Sequence, residues 1–324
     1  LVKRGGHQMR VWEYSLSQPL EGPLTRAQKR AIDSTGRPAL ARIHISNSTE
    51  YLGAPYVPVM QLVAEKLMDL RSKGYKGYMG SWIFGGYPSP NALVARDLCR
   101  AANPDPGKVL RDVAGLYYGP ENAETVVKAW AAFSKAFRLY PFSIAFQYSA
   151  PLHVAPAIEW PLEPSGFNSK MFYPSDTPER YCAHFTMPVV ADLFTKIAAG
   201  WQKGLDLLRQ ALHNTRPALR DQAQRDYDNA EVFWLCCQSQ IGHIQFCQTR
   251  LKYKTSPDAR RELRKLIEKE IDIAQRYYLI ARADSRVGFE ASMQYFTLPH
   301  DVQEKLLSLR QSLDILNRLD QRSA

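Results

Sequence analysis

Two glutamates each follow a short apolar run of the kind that forms β-strands. Glu13 comes directly after the run QMRVW, and Glu50 comes shortly after the run RIHIS. Hydrolysis of a glycosidic bond generally uses two carboxyl groups, one on each side of the bond. A carboxyl group at a strand end that is partly removed from water is suited to proton transfer. The pattern predicts Glu50 as the first catalytic carboxylate and Glu13 as the second, with a loop or ion-pair role as the alternative for each.

Aromatic and amide side chains around a later apolar run suit a sugar-binding pocket. Trp82 ends that run, and Tyr87 and Asn91 follow a Gly-Gly pair. A flat ring can stack on a sugar, glycine lets the backbone approach closely, and an amide both donates and accepts hydrogen bonds. We expect Tyr14 to line the same pocket and Trp160 to cover it. Core packing is the alternative for Trp82, and a simple turn is the alternative for the two glycines.

Other common chemistries lack their motifs in this sequence. No dinucleotide-binding, nucleotide-binding or serine-hydrolase pattern is present. The cysteines form no CxxC pair, and the histidines lack the spacing of metal ligands. We therefore predict no disulfide framework, no metal site and no cofactor. The residues considered are Cys99, Cys182, Cys236, Cys237, Cys247, His44, His153 and His243.

Apolar runs alternate with a helical pattern in the first third of the chain. The sequence predicts strands over about 8–14, 42–46 and 77–83, and helices over 24–34 and 58–72. Strands that alternate with helices at this spacing are typical of parallel sheets. The polar and aromatic candidates then lie at the carboxyl ends of the strands, where ligands bind in such folds.

The remainder of the chain has helical periodicity. A connector rich in proline and aromatic residues spans 140–173, and its length suggests either a functional role or tight packing. The charged residues Asp284, Arg286 and Glu290 lie near a helix break, where a capping aspartate and an internal ion pair are expected. An antiparallel bundle is predicted for the last four helices. The predicted helices are 91–102, 107–118, 121–138, 187–213, 217–253, 257–282 and 299–319.

Composition limits the classes of partner. The 324 residues carry a net charge of +10, but the basic residues are scattered, and the densest run, 260–265, is interrupted by acidic and apolar positions. We interpret that run as a solvated helix face, with phosphate binding as the alternative, and do not expect a nucleic-acid partner. No apolar stretch is long enough to cross a membrane, so no membrane partner is expected. The oligomeric state is left open.

Two segments carry a resemblance to a known family. IHISNSTEYLGAPYVPV and GYMGSWIFGGYPSPN resemble the last strands of TIM-barrel glycoside hydrolases of the hexosaminidase and α-glucuronidase type. The resemblance implies an α/β fold followed by an all-α part: the last βα units of a (β/α)8 barrel and a C-terminal antiparallel helical bundle. It implies hydrolysis of a glycosidic bond in a carbohydrate substrate, without a cofactor.

The same resemblance implies a domain organisation. We expect the C-terminal portion of a barrel over 1–100, a helical and proline-rich connector over 101–180, and a helical bundle over 181–324. Because the chain begins without methionine and three strands cannot close a barrel, we expect it to be the C-terminal part of a longer protein, of cytoplasmic, periplasmic or secreted location. The acid/base pair of hexosaminidase-type barrels would then precede Leu1. The alternatives are a non-catalytic carbohydrate-binding protein and a helical scaffold or interaction module.

Overall fold

The structure is a computed structural model that describes residues 9–12, 16–17, 23–46, 48, 50–80, 87–149, 151–166, 176–290 and 294–321. Most of the described residues are helical. Five short strands lie within the described residues: β1 (Met9–Trp12), β2 (Ala39–Arg42), β3 (Gly77–Met79), β4 (Phe289–Glu290) and β5 (Gln294–Tyr295). The α-helices there are α1 (Pro23–Asp33), α2 (Met60–Ser72), α3 (Pro90–Arg100), α4 (Pro106–Tyr118), α5 (Ala123–Phe137), α6 (Ile144–Ser149), α7 (Met187–Asn214), α8 (Pro217–Arg250), α9 (Pro257–Ala283) and α10 (Pro299–Gln321).

The first three strands form one small parallel sheet in the order β1-β2-β3. Val11 pairs with Ala41, and Ala41 pairs with Tyr78. The two remaining strands form a separate antiparallel hairpin after α9. Within the described residues no fourth strand joins this parallel sheet, and the chain continues mainly as helices.

The prediction of a (β/α)8 barrel is therefore wrong, and so is the resemblance to TIM-barrel glycoside hydrolases. The C-terminal part of such a barrel would be built from alternating strands and helices, whereas the described residues after β3 are mostly helical and add no further strand to the parallel sheet. Small open sheets and barrels share one local sequence pattern, in which a short apolar run is followed by a polar loop. The number of strands that pair is decided by contacts between distant segments, which the pattern does not contain.

The helices predicted for the last part of the chain are present as α7, α8, α9 and α10. Proline stands at the first or second position of α3, α4, α7, α8 and α9, where its missing N–H costs no helical hydrogen bond. Side chains cap three of these helices: Ser89, Asp105 and Ser256 accept hydrogen bonds from backbone N–H groups in the first turn. These local signals explain why the helix boundaries are readable from the sequence.

Aromatic rings fill the space where α5, α7 and α8 meet. The Trp201 ring lies 4.4 Å from Phe133 and 4.2 Å from Phe233, measured between ring centroids. Its indole N–H donates to the Ala230 carbonyl across 2.8 Å. Gly204 allows the close approach, because a Cβ at this position would lie 2.3 Å from a carbon of Phe133. One continuous apolar core extends from this junction to the sheet.

A buried ion pair joins α9 to α10. Lys305 donates to the Glu270 carboxylate and, across 2.9 Å, to the Ala155 carbonyl, while Ser239 of α8 donates to the same carboxylate across 2.6 Å. Both charged side chains are 0% exposed. Burial raises the pKa of Glu270 and lowers the pKa of Lys305, and the contacts between them oppose both shifts. The pair therefore holds three elements together at one point.

Replacing one partner of this pair should be far more harmful than replacing both. Lys305→Met leaves a buried carboxylate without its cation, which costs about 3–5 kcal/mol of unfolding free energy. Glu270→Leu combined with Lys305→Met should cost much less than the sum of the two single changes. Urea denaturation measures all three variants, with Lys196→Met of an exposed ion pair as the control expected to cost under about 1 kcal/mol. A loss below about 1 kcal/mol for Lys305→Met would contradict this assignment.

Candidate functional site at the carboxyl end of the sheet

The segment between β2 and α2 passes through the interior of the protein. We call residues 46–59 the inner loop. Its side chains in the described residues are buried, including Tyr51, Leu52 and Tyr56. A buried loop must satisfy its backbone polar groups without water, so its partners show which elements depend on it.

Four different elements satisfy the backbone of the inner loop. His153 Nδ1 accepts from the Leu52 N–H across 3.1 Å, and the Gly53 carbonyl accepts from the Gly288 N–H across 3.0 Å. The Asn229 amide donates to the Tyr56 carbonyl across 2.9 Å, and the Asn91 amide donates to the Val57 carbonyl across 2.8 Å. The loop therefore connects the sheet with α3, α8, the short helical turn at 151–153 and the segment after α9.

Glu50 is the anchor at the start of this loop. Its Oε1 accepts from the backbone N–H and the hydroxyl of Ser17, and its Oε2 accepts from the Leu16 N–H and the Ser48 hydroxyl. The side chain is fully buried. The predicted catalytic carboxylate thus binds the segment after β1, and both of its oxygens accept hydrogen bonds.

Removing one of these acceptors should destabilise the fold. Glu50→Gln replaces one carboxylate oxygen by an amide that donates, so two buried donors lose their acceptor. We expect a loss of about 2–3 kcal/mol in unfolding free energy, since hydrogen bonds to charged groups are stronger than neutral ones. Chemical denaturation followed by circular dichroism measures it. The exposed Glu262→Gln is the control and should change stability by less than about 0.5 kcal/mol; an equal effect of the two variants would rule out the anchoring role.

A second buried carboxylate lies under the other end of the inner loop. Asp226 of α8 accepts hydrogen bonds from the hydroxyls of Tyr56 and Tyr118, the latter across 2.7 Å. All three side chains are buried. Burial raises the pKa of Asp226 to about 6, against the opposing effect of the two hydroxyls. Burial and the nearby carboxylate raise the pKa of both tyrosines well above the usual value.

A partly exposed group of side chains lies next to this carboxylate. The Arg286 guanidinium is 6.0 Å from the centre of the Tyr87 ring and forms an ion pair with Asp284. Tyr87 and Tyr117 are half-buried, and Arg286 is 31% exposed. The hydrogen bonds that Arg286 donates to the Asp284 carboxylate raise the pKa of Arg286. Burial would raise the pKa of Asp284, but the hydrogen bonds and charge of Arg286 outweigh it and keep that pKa below its usual value.

These residues form one candidate site, which we call the tyrosine site. It consists of Tyr56 from the inner loop, Tyr87 after β3, Tyr117 of α4, and Asp284 and Arg286 after α9, with Asp226 beneath. Two of its tyrosines follow parallel strands, and the carboxyl ends of parallel strands are where α/β proteins bind ligands. The ion pair at 284–286 agrees with the interpretation made from the sequence.

The other predicted site residues have different positions. Asn91 is buried and donates to the carbonyls of Ile45 and Val57, so it supports the inner loop from below. Trp160 is fully buried in a separate apolar cluster, with Lys305 5.0 Å from its ring centre. The predicted site residues outside the described ranges are Glu13, Tyr14 and Trp82.

The importance of Asp226 and Tyr56 was not predicted from the sequence. A weak signal exists for Asp226, because it shares a helix face with Ala230, Phe233 and Cys237, all of which are buried. A charged residue on a core face needs a polar partner. Its partners are 108 and 170 residues away in the chain, so no local pattern could identify them.

The surface clefts elsewhere in the described structure include two of similar volume. One of about 610 Å³ is bordered by α4 and the start of α8, near Arg111 and Arg216. The other, of about 590 Å³, lies between β3 and α3, near Tyr78 and Cys99. Both lack the group of buried polar residues that characterises the tyrosine site, and a few precisely placed polar groups are what fix the orientation of a ligand.

The basic run at 260–265 is largely engaged in ion pairs. Arg260 and Arg264 both contact Asp320, and Arg261 contacts Asp258. Paired arginines have much of their charge neutralised, which weakens attraction to phosphate. The interpretation as a solvated helix face fits the exposed Arg261 and Lys265 but not Arg260, which is buried.

Comparison with known protein families and with curated proteins found no match to this chain. In the described ranges, no group of three or more histidine, cysteine, aspartate or glutamate side chains is arranged to hold a metal ion. None of the helices in those ranges combines the length and the apolar character that a membrane span requires.

Proposed function

We propose that the protein binds a carbohydrate at the tyrosine site. The observation that carries the proposal is the half-buried Tyr87 ring beside the Arg286–Asp284 ion pair, at the carboxyl end of the sheet. An aromatic ring offers an apolar face to the C–H groups of a sugar. The guanidinium donates and the carboxylate accepts, which matches the hydroxyl groups around a sugar ring.

The electrostatics of the site favour a neutral ligand. Arg286 and Asp284 neutralise one another through several hydrogen bonds. A ligand with a full charge would have to compete with this pair, whereas hydroxyl groups can bond to its outer edge. Polar groups that are already fixed in position lose little entropy on binding. An uncharged oligosaccharide is therefore the ligand class that we propose.

Binding is proposed rather than hydrolysis because of the position of Glu50. A catalytic carboxylate must reach the reacting atoms, and Glu50 is buried with both oxygens accepting hydrogen bonds from 16–17 and 48. Hydrolysis by Glu50 stays a prediction. Release of reducing ends from the bound oligosaccharide, measured for the native protein and for Glu50→Gln, distinguishes the two roles.

Loss of the Tyr87 ring should weaken binding without harming the fold. A glycan array identifies the oligosaccharide bound most strongly, and calorimetry with that oligosaccharide gives the affinity. We expect Tyr87→Ala and Arg286→Ala each to weaken binding about tenfold or more, which corresponds to about 1.4 kcal/mol. Thermal unfolding checks that both variants remain folded.

Matched controls come from a similar ring and a similar arginine elsewhere. Tyr278 is a half-buried tyrosine of α9, and Arg209 of α7 lies 5.8 Å from the Tyr227 ring. Tyr278→Ala and Arg209→Ala should retain the affinity. If no glycan binds, or if the Tyr278 and Tyr87 variants bind equally well, the carbohydrate proposal is wrong.

A further inference from the structure

The Tyr118 hydroxyl has two acceptors within reach. It lies 2.7 Å from Asp226 Oδ2 and 3.3 Å from the Ala223 carbonyl oxygen. The Tyr56 hydroxyl, in contrast, donates to Asp226 Oδ1. A hydroxyl can donate one hydrogen and can also accept one. The Tyr118 hydroxyl can therefore donate either to Asp226 or to the Ala223 carbonyl, and in the second case it can accept from Asp226.

We infer that Asp226, Tyr118 and the Ala223 carbonyl form a hydrogen-bond chain that reverses direction when Asp226 takes up a proton from solvent. With Asp226 ionised, Tyr56 and Tyr118 both donate to the carboxylate. With Asp226 protonated at Oδ2, the carboxylic O–H donates to the Tyr118 oxygen, and Tyr118 donates to the Ala223 carbonyl. Tyr56 continues to donate to Oδ1, so every hydrogen in the chain has an acceptor in both states.

The reversal changes how the inner loop is held on α8. In the ionised state the Tyr56 hydrogen bond is charge-assisted, and in the protonated state it is neutral and weaker. The ionised state, however, places an uncompensated charge in the interior, which is costly. Protonation therefore weakens the hydrogen bond between Tyr56 and Asp226 and removes the cost of burying an ionised carboxylate. Both effects occur where the inner loop contacts the helical bundle.

Few other charges surround this acid. Tyr117 of α4 faces it at longer range, Arg286 from the segment after α9 faces Tyr56 and Tyr117, and Asp228 on the same helix faces Tyr118. The acid lacks a directly bonded cation among the described residues, because its hydrogen-bond partners are the two hydroxyls. Burial therefore dominates, and it raises the pKa of Asp226 to about 6.

The raised pKa of Asp226 determines how the stability of the fold depends on pH. A carboxyl group whose pKa is higher in the folded protein than in the unfolded chain stabilises the fold fully at pH values below its unfolded pKa. This stabilisation is lost as the pH rises through about 6. His44 and His243 act in the opposite direction, since burial lowers the pKa of each. The contribution of Asp226 must therefore be measured as a difference between variants.

Asp226→Asn imitates the hydrogen-bond chain in the state in which Asp226 is protonated. The asparagine oxygen can accept from Tyr56 while its amide donates to the Tyr118 oxygen, and Tyr118 then donates to Ala223. As the pH rises from about 4 to about 7, the thermal midpoint of the native protein should fall relative to that of Asp226→Asn. Asp221→Asn, an exposed acid of the same helix, should leave the curve unchanged. Parallel curves for the native protein and Asp226→Asn would refute the switch.

Infrared difference spectroscopy of the full-length polypeptide tests the hydrogen-bond chain directly. A protonated-carboxyl band should appear in the native protein with a midpoint near pH 6, and it should be absent from Asp226→Asn and retained in Asp221→Asn. In Tyr118→Phe the acid loses its acceptor, so the band should move to the frequency of a carboxylic acid without a hydrogen bond. An unchanged band frequency in Tyr118→Phe, or no titrating band near pH 6 in the native protein, would overturn the inference.

Discussion

The structure depends on one constraint: a polar segment of chain passes through the protein interior and must find all of its hydrogen-bond partners there. The described residues of the inner loop are buried, and an unpaired backbone group in such a place costs about as much as a lost hydrogen bond. The partners come from the segment after β1, from α3 and α8, from the turn at 151–153 and from the segment after α9. None of these elements could move away from the inner loop without leaving a buried polar group unsatisfied.

Helix α8 carries several further polar contacts of the interior. Asp226 near its start bonds to the inner loop and α4, and Ser239 further along bonds to the Glu270–Lys305 pair between α9 and α10. Between them, Phe233 packs on Trp201 and on Tyr51 of the inner loop. Buried polar groups with specific partners allow fewer arrangements than apolar packing alone. The helix therefore determines how the sheet and the helical bundle are arranged relative to each other.

The tyrosine site lies where these two parts meet. Its rings come from the inner loop, from the residues just before α3 and from α4, and its ion pair comes from the end of α9. A ligand at this position would contact both the sheet side and the helical side. The rigid elements beneath it hold the side chains in place before binding, which reduces the entropy that binding costs. Its proximity to Asp226 also places a proton-binding group directly below the site.

The sequence by itself determined the helices, because the signals that form them are local. Proline at the first turn, the caps at Ser89, Asp105 and Ser256, and the 3.6-residue apolar period all lie within the helix they specify. It also indicated β1, the start of β3 and the ion pair at 284–286, whose partners are two residues apart. It placed the second strand at 42–46, whereas β2 is Ala39–Arg42. The number of strands in the sheet, the anchoring of Glu50 and the pairing of Asp226 with two tyrosines were decided only by the tertiary structure. Each depends on segments that are tens to hundreds of residues apart, and the burial that changes the chemistry of a carboxylate is a property of the packed protein rather than of its neighbours in the chain.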